Sequence, residues 1–223
     1  MSYYWNAKFL RHLNPYEIYS VFEVGARYGD ESISLSEIFV EADIYSFEAN
    51  PLIIDKTKNR LKNYSRIKFF PFGLSDKEEE LPFYPYINDT DDNIGASSFL
   101  KRIDYDKTQI KCDKKVRVRR LDNVLDEEEI NQVDLLCMDV QGFELNVLKG
   151  AGEYLKEIKY IIMEQPKPVI DIRFLPAGVH SKYINAPSDK DIKVFMDNAG
   201  FVEIERIPEN YIEDNVMWRN VRY

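Results

Sequence analysis

The stretch VDLLCMD at residues 133–139 constrains the fold more than any other part of this sequence. It is apolar almost throughout, whereas a strand with one wet face would alternate apolar and polar residues. We therefore expect a central parallel strand with helices covering both of its faces. The run YIIME at residues 160–164 has the same character and predicts a second buried strand.

Candidate strands and helices alternate along most of the chain, which is typical of an α/β protein. Residues 20–25, 43–48 and 67–75 are further strand candidates, and helical apolar spacing at 31–42 separates the first two. The last two candidates, 201–207 and 215–223, lack a helical spacer and should form an antiparallel pair at one edge. The pattern predicts a three-layer α/β fold with a mostly parallel, seven-stranded sheet.

The least regular part of the chain predicts a β insert near residues 80–120. ELPFYPYI at 80–87 is a hairpin candidate, and KKVRVRRL at 114–121 alternates cationic and apolar residues, as an edge strand protected by charge would. We expect residues 1–223 to form a single domain. Its accessory parts would be an N-terminal helical lead-in (1–19), an insert or cover (76–120) and an acceptor loop (166–187).

Charge and hydropathy exclude several classes of protein. The net charge of −9 argues against binding to nucleic acid, which needs a cationic surface. No apolar run approaches the ~20 residues of a membrane span, and the first residues lack the apolar segment of a signal peptide. A cytoplasmic location is therefore expected. Cys137 lies in an apolar run and Cys112 in a charged one, so neither predicts a disulfide or a zinc site.

The segment VFEVGARYGD at residues 21–30 joins a strand candidate to a turn with two glycines. Gly25 allows a sharp turn, and Gly29 allows the next helix to begin close to a bound group. Glu48 ends the second strand candidate, 23 residues after Gly25. An acid at about this distance accepts hydrogen bonds from ribose hydroxyls in nucleoside-binding α/β folds. The strand, turn and acid together predict a nucleoside site.

The glycine spacing indicates which nucleoside. A dinucleotide site normally has G-x-G-x-x-G, but here Ala26 and Arg27 follow Gly25, and the glycine that lets backbone approach a pyrophosphate is missing. S-adenosylmethionine fits, because it carries ribose and adenine but no phosphate. Glu23 would then face the ammonium group of this cofactor, or water near its sulfonium.

Several segments resemble the FkbM-type methyltransferases, in the same order: VFEVGARYGDES, YSFEANP, FGLSDKEEELPFY, GASSF, RRLDNVL, LLCMDVQGFELNVLKGAGEYL and IIMEQ. The resemblance covers roughly residues 20–165 and implies a Rossmann-like class I methyltransferase that uses S-adenosylmethionine, often on sugar hydroxyls. It implies that Gly25, Ala26, Gly29 and Ser32 line the methionine side, that Glu48 and Asn50 hold the ribose, and that Gly73, Leu74 and Ser75 border the adenine. Ala49, between the two ribose residues, is also expected to bind the cofactor.

Methyl transfer to an alcohol needs alignment and a base that removes the hydroxyl proton. Asp139, at the carboxyl end of the central strand, is the leading candidate and would also lie against the cofactor. The alternative is that Asp139 caps the next helix. Glu144 begins that helix, and capping or packing is as reasonable for it as catalysis.

Glu164 ends the next strand and should lie beside Asp139. Two neighbouring carboxylates would raise the pKa of one of them, which makes Glu164 a further candidate catalytic residue, or would hold a divalent cation, although we assign no metal site. The alternative for Glu164 is a solvated acid at the strand end. His180 lies in the expected acceptor loop and is a second candidate base, with plain surface exposure as the alternative. His12 precedes the sheet and is expected to be structural.

The sequence therefore predicts an S-adenosylmethionine-dependent O-methyltransferase that acts on a carbohydrate, either an oligosaccharide or a glycoconjugate. Two alternatives stay open. One is a nicotinamide-dependent sugar oxidoreductase or epimerase, which would want a second close glycine and a Tyr-x-x-x-Lys pair. The other is a non-catalytic binding module with the same fold. The chain could also be one part of a larger glycan-assembly protein.

Overall fold

The computed structural model describes residues 6–86, 94–103, 115–168 and 181–223, in which strands and helices alternate. The first half contains α1 (Ala7–Leu10), β1 (Ser20–Val24), α2 (Asp30–Ile38), β2 (Asp43–Phe47), α3 (Ile54–Leu61), β3 (Ile67–Phe70), β4 (Gly73–Leu74) and β5 (Glu79–Pro82). The second half contains β6 (Lys115–Arg119), α4 (Leu121–Glu127), β7 (Val133–Met138), α5 (Glu144–Gly150), β8 (Ile158–Pro166), α6 (Asp189–Asn198), β9 (Phe201–Pro208) and β10 (Glu213–Asn220). Short 3-10 helices span Pro15–Glu17 and Gly152–Glu157.

The main sheet has seven strands in the order β3-β2-β1-β7-β8-β10-β9. The first five of these are parallel to one another, while β10 runs antiparallel to both β8 and β9. This confirms the predicted α/β fold and its antiparallel edge pair. The third strand is shorter than the predicted 67–75, because it ends at Phe70, before Pro71, which has no N–H to donate to the sheet.

The centre of the sheet explains why residues 133–139 are so apolar. Strand β7 lies between β1 and β8, and all of its residues are buried. Leu135 and Cys137 pack on the face covered by α1, α2 and α3, whereas Leu136 and Met138 pack on the face covered by α4, α5 and α6. The period-2 alternation of a strand therefore supplies two apolar cores from one apolar run.

A second sheet, in the order β4-β6-β5, corrects two predictions about the insert. KKVRVRRL contains the central strand of this sheet and not an edge strand, since β6 pairs with β4 on one side and β5 on the other. Its Arg119 is buried against Glu78 and Glu127, so this charge pairs with acids instead of protecting an edge. ELPFYPYI is not a hairpin, because β5 pairs with β6 and Tyr84 bridges to Ser98.

The lead-in packs under the main sheet through Phe9, which is fully buried in the core on the α2 side. Within the ranges that the structure describes, no helix is both long and apolar enough to cross a bilayer. The acceptor loop predicted at 166–187 begins at the end of β8, and its central residues, including His180, lie outside the described residues, as does Cys112.

Candidate active site

A cavity of about 1340 Å³ lies over the carboxyl ends of β1, β2, β7 and β8, which is where open α/β sheets bind ligands. It brings together the glycine turn, the acid that follows β2 and the two strand-end acids. The predicted site residues that line it are Gly25, Glu48, Ala49, Asn50, Gly73, Leu74, Asp139 and Glu164.

Gly25 forms the floor of the cavity. Its φ of +95° lies in the left-handed region, and a Cβ atom added there would lie 2.1 Å from the backbone oxygen of Asp139. Hydrogen bonds also attach the turn to the end of β2, because the N–H groups of Gly25 and Ala26 both donate to the Phe47 carbonyl, at 3.0 and 2.9 Å. Only glycine satisfies both the conformation and the close approach of the β7 end.

Glu48 is held in place by two backbone donors. Its Oε2 accepts from the N–H of Arg27 at 2.6 Å, and its Oε1 accepts from the N–H of Asn50 at 2.6 Å. Burial raises the pKa of Glu48 to about 7, although the backbone hydrogen bonds act in the opposite direction. The fixed carboxylate keeps further acceptor capacity on each oxygen, which suits the two hydroxyls of a ribose.

Five predicted cofactor residues do not line the cavity: Glu23, Ala26, Gly29, Ser32 and Ser75. Glu23 is buried under α2, where it accepts a hydrogen bond from the Ser32 hydroxyl, and burial raises its pKa to about 8. Gly29 instead allows α2 to begin against Leu61, since a Cβ atom there would lie 2.7 Å from that side chain. These residues support the wall from behind, and the structure does not bring Glu23 to the cofactor's ammonium group.

The opposite wall is aromatic. A Cβ atom on Gly73 would lie 2.7 Å from the ring of Phe99, which in turn packs edge-on against Phe83 with centroids 5.0 Å apart. Phe143 joins the same group, 5.2 Å from Phe99. All of these residues line the cavity. An aromatic, apolar wall beside Gly73 and Leu74 is suited to a nucleobase, and the FkbM resemblance implies that adenine lies there.

Asp139 and Glu164 meet across neighbouring strands, as predicted. Both are half-buried and line the cavity, and the side-chain amide of Gln141 donates to both of them, reaching Glu164 Oε2 at 2.9 Å. Burial raises the pKa of Asp139 to about 6. The pKa of Glu164 is well above its usual value, first because of burial and then because of the charge on Asp139. Raised pKa values at neighbouring carboxyls in a cavity are typical of sites that transfer protons.

Glu144 has the structural environment of a helix-terminal acid. It is buried outside the cavity lining, and its Oε1 accepts from the N–H of Gly142 at 3.2 Å. Burial raises its pKa to about 8. His12 lies far from the cavity and contacts Glu205 on β9 at 3.2 Å, which is consistent with a structural role.

Sequence reasoning missed the contribution of the β9–β10 turn. The cavity is also lined by Lys182, Glu209, Asn210, Glu213 and Asn215. The pairing of β10 with β8 places Asn215 opposite Glu164. Glu213 accepts from Asn210 at 2.9 Å and pairs with Lys182 at 3.4 Å. The cluster of acids and amides in ENYIEDN, between the two final strands, was the available signal.

Within the described parts of the chain, no group of three His, Cys, Asp or Glu side chains has the arrangement of a metal site.

Comparison with known proteins agrees with this architecture. The sequence profile of the methyltransferase FkbM domain matches residues 23–203. The 2-O-methyltransferase NoeI of Sinorhizobium fredii is 25% identical over 150 residues, which are 65% of this chain and 62% of NoeI. The hexuronic acid methyltransferase AglP of Haloferax volcanii is 23% identical over 147 residues, which are 65% of this chain and 54% of AglP. The chain thus spans less than two thirds of either relative.

Solved structures show the same fold. The FkbM methyltransferase of Methylobacillus flagellatus superposes with a TM-score of 0.58 at 13% identity, over 96% of this chain and 46% of that one. The fibrillarin of Aeropyrum pernix, solved with natively bound S-adenosylmethionine, superposes with a TM-score of 0.52 at 15% identity, over 92% of this chain and 68% of that one. On the profile match over residues 23–203, the chain belongs to the methyltransferase FkbM domain family.

Proposed function

We propose that this protein transfers the methyl group of S-adenosylmethionine to a hydroxyl of a carbohydrate, with Asp139 as the base. The observation that carries the proposal is that Asp139 and Glu48 line one cavity. A hydroxyl held beside Asp139 would therefore share a compartment with the cofactor. Bound S-adenosylmethionine supplies a methyl group on a sulfonium that is already electrophilic.

The residues of the cofactor's part of the cavity have separate tasks. Gly25 leaves room where any side chain would collide with Asp139, Glu48 would accept hydrogen bonds from the ribose, and Gly73 with Phe99 would form the apolar wall for adenine. These residues fit a nucleoside without a pyrophosphate. Arg27 occupies the position of the second glycine of a dinucleotide site, so backbone cannot approach a pyrophosphate there.

The base has a suitable pKa. With a pKa of about 6, Asp139 is mostly ionised at neutral pH and is still basic enough to accept a proton from an alcohol as the new bond forms. General base catalysis of this kind typically contributes about 10²–10⁴-fold. In this proposal Asp139 accelerates the chemical step, while Glu48 and the glycine turn bind and orient the cofactor.

The wall near Asp139 favours an acceptor rich in hydroxyl groups. Glu164, Glu209 and Glu213 present carboxyl groups that accept hydrogen bonds from hydroxyls, and Asn210 and Asn215 add amides that donate or accept. Among the described residues that line the cavity near Asp139, the cations are Lys182 and Arg27, and the acids outnumber them. We therefore favour an uncharged sugar over a uronic acid, although the relative AglP is named for hexuronic acid.

Two experiments test the proposal. Calorimetry should show binding of S-adenosylhomocysteine and none of NAD, and the reverse result would contradict the methyltransferase assignment for this site.

A panel of neutral monosaccharides, uronic acids and short RNAs should then be incubated with radiolabelled S-adenosylmethionine. We expect label in neutral sugars, and label only in RNA would overturn both the acceptor class and the expectation from the net charge of −9.

A further inference from the structure

Gln141 lies in an unusual backbone turn. Its φ is +54°, in the left-handed region that non-glycine residues rarely adopt, and Gly142 follows with a φ of +93°. The turn is also tightly enclosed: a Cβ atom on Gly142 would lie 3.0 Å from Ala186 and 3.3 Å from both Leu100 and Tyr183. Strained conformations persist where surrounding structure enforces them, and they occur often at functional sites.

The turn directs the Gln141 side chain back across the end of the sheet. Its Nε2 donates to Asp139 Oδ1 and to Glu164 Oε2, the latter at 2.9 Å. An amide nitrogen carries two hydrogens, so one can serve each carboxylate. The reversed amide would place its oxygen against both acids, which is repulsive unless a carboxyl is protonated. A glutamine bridges these two acids without adding charge.

The amide orientation is fixed by contacts on its other side. The Tyr183 hydroxyl donates to Gln141 Oε1 at 2.5 Å and also lies 3.0 Å from the carbonyl of Ala96. The Ser98 hydroxyl donates to the backbone carbonyl of Gln141 at 2.9 Å. Tyr183 is buried, with 3% of its surface exposed, whereas Gln141 is half-buried at the cavity. Two distant segments of the chain therefore hold Gln141, since Tyr183 contacts its side chain and Ser98 contacts its backbone.

The geometry points to Gln141 as a positioning residue, which holds the Asp139 and Glu164 carboxyls in one arrangement while Tyr183 keeps its amide in the donating orientation. This inference rests on the proposed function in one respect, namely that Asp139 is the base. It goes beyond that function because it assigns the control of this base to a residue that touches both acids.

Many charged groups face Asp139, and most of them oppose its ionisation. They are Glu164 from β8, Glu213 from β10, Glu209 from the β9–β10 turn, Glu31 from α2, Glu48 after β2, Glu144 from α5 and Arg27 from the glycine turn. Burial is the largest cause that raises the pKa of Asp139, and the hydrogen bond from Gln141 is the largest that lowers it. Loss of the amide should therefore raise this pKa.

The test follows the titration of Asp139 directly and needs no acceptor. Protein labelled with ¹³C at aspartate carboxyls is titrated by NMR, and the Asp139 signal is assigned with Asp139→Asn. We expect Gln141→Leu to raise the titration midpoint by about one pH unit. Gln141→Glu should raise it further, because it adds a third acid, and Tyr183→Phe should raise it less, because the amide is kept but can rotate.

Gln165→Leu is the matched control. Gln165 is also buried with both ends of its amide engaged, by Asp189 at 2.7 Å and by the Trp218 indole at 3.2 Å, but it does not line the cavity. Its loss should lower stability and leave the Asp139 midpoint in place. The inference is wrong if Gln141→Leu titrates like the parent, or if Gln165→Leu moves the midpoint equally. Should Gln141→Leu fail to fold by circular dichroism, unchanged midpoints in both Gln141→Glu and Tyr183→Phe would overturn it.

Calorimetry with S-adenosylhomocysteine separates this inference from the proposed function. A parent protein that does not bind it contradicts the proposed function, while the NMR titration still decides the role of Gln141. A parent protein that binds it, with an Asp139 titration that does not respond to Gln141, contradicts the positioning role alone.

Discussion

The cavity has two ends that are built from the chain in different ways: the end that we propose for the cofactor (Gly25, Glu48 and Asn50; the cofactor end) and the end that we propose for catalysis (Asp139, Gln141, Glu164, Glu209 and Glu213; the catalytic end). At the cofactor end, adjacent parallel strands and their following turns supply the groups, and backbone atoms fix them. At the catalytic end, side chains from distant segments fix one another: Gln141 is held by Ser98, 43 residues earlier, and by Tyr183, 42 residues later. A backbone-built site is readable from local sequence, whereas a site built from side chains requires the tertiary fold.

The largest effect should come from the catalytic end. Asp139→Asn removes the base but keeps the shape, so we expect methyl transfer to fall by about 10²–10⁴-fold while S-adenosylhomocysteine still binds. The measurement is the rate of label transfer to an acceptor found in the sugar panel. Glu144→Gln is the control, because Glu144 is buried nearby but does not line the cavity. A parent-like rate in Asp139→Asn would break the assignment of a catalytic end.

The next effect tests whether backbone geometry builds the cofactor end. Gly25→Ala combines a left-handed φ with a Cβ atom 2.1 Å from the Asp139 oxygen, and we expect it to cost about 2–5 kcal/mol of stability and to abolish cofactor binding. Gly200→Ala is the matched control, since Gly200 has a φ of +84° but its nearest contact would be 3.7 Å away. It should cost only about 1–2 kcal/mol. Equal losses in chemical denaturation would show that the close approach is unimportant.

These two ends also show what sequence can reveal. The alternation of strands and helices, the two-sided burial of β7 and the placement of Gly25 and Glu48 follow from periodicity and from a turn within one βα unit. The role of Glu23 does not follow from the same motif. Its neighbours Phe22 and Val24 face the core on the α4–α6 side, so strand alternation directs Glu23 to the opposite face, under α2. Of the β1 residues, only Val24, at the strand end, lines the cavity.

Long-range strand pairing explains the remaining differences between the sequence predictions and the structure. KKVRVRRL has the alternation of a half-exposed strand, and β6 does bury Val116 and Val118, but the alternation carries no information about which strands flank it. Similarly, the acids of the β9–β10 turn join the catalytic end only because β10 pairs with β8 in a particular register. Local patterns predict elements and faces, whereas neighbours depend on the whole sheet.

A smaller effect should separate lining acids from buried ones at the cofactor end. Glu48→Ala removes hydrogen bonds to the ribose, and we expect S-adenosylhomocysteine to bind more weakly by about 1.5–3 kcal/mol. Glu23→Gln should bind it with the parent affinity, because Glu23 lies behind the wall. Calorimetry on both variants measures the difference. A loss of affinity in Glu23→Gln alone would reverse the assignment of the two acids.

Burial of Glu23 should also change how steeply stability depends on pH. Its pKa rises from 4.5 to about 8 on folding, so between these values the folded protein holds a proton that the unfolded chain has lost. The contribution of Glu23 to the free energy of unfolding is therefore fully present below about pH 4.5 and is lost as the pH rises through 8. The loss is at most about 1.4 kcal/mol per pH unit. Glu23→Gln cannot ionise, so its unfolding free energy, measured by urea denaturation without ligand, should fall less steeply from pH 5 to pH 8.

Glu127→Gln is the control for Glu23→Gln, because folding lowers the pKa of Glu127 and raises that of Glu23. A hydrogen bond from Arg119 lowers the pKa of Glu127, so stability from this group is present above its unfolded pKa and is lost as pH falls. Glu127→Gln should therefore leave the slope between pH 5 and 8 unchanged and act only at lower pH. If Glu23→Gln keeps the full parent slope, then Glu23 is ionised in the folded protein. An ionised carboxylate under α2 would need a cationic partner, and the side-chain contacts described for Glu23 come from the hydroxyl of Ser32. That outcome would place Glu23 within reach of solvent or ligand and so return it to the cofactor end.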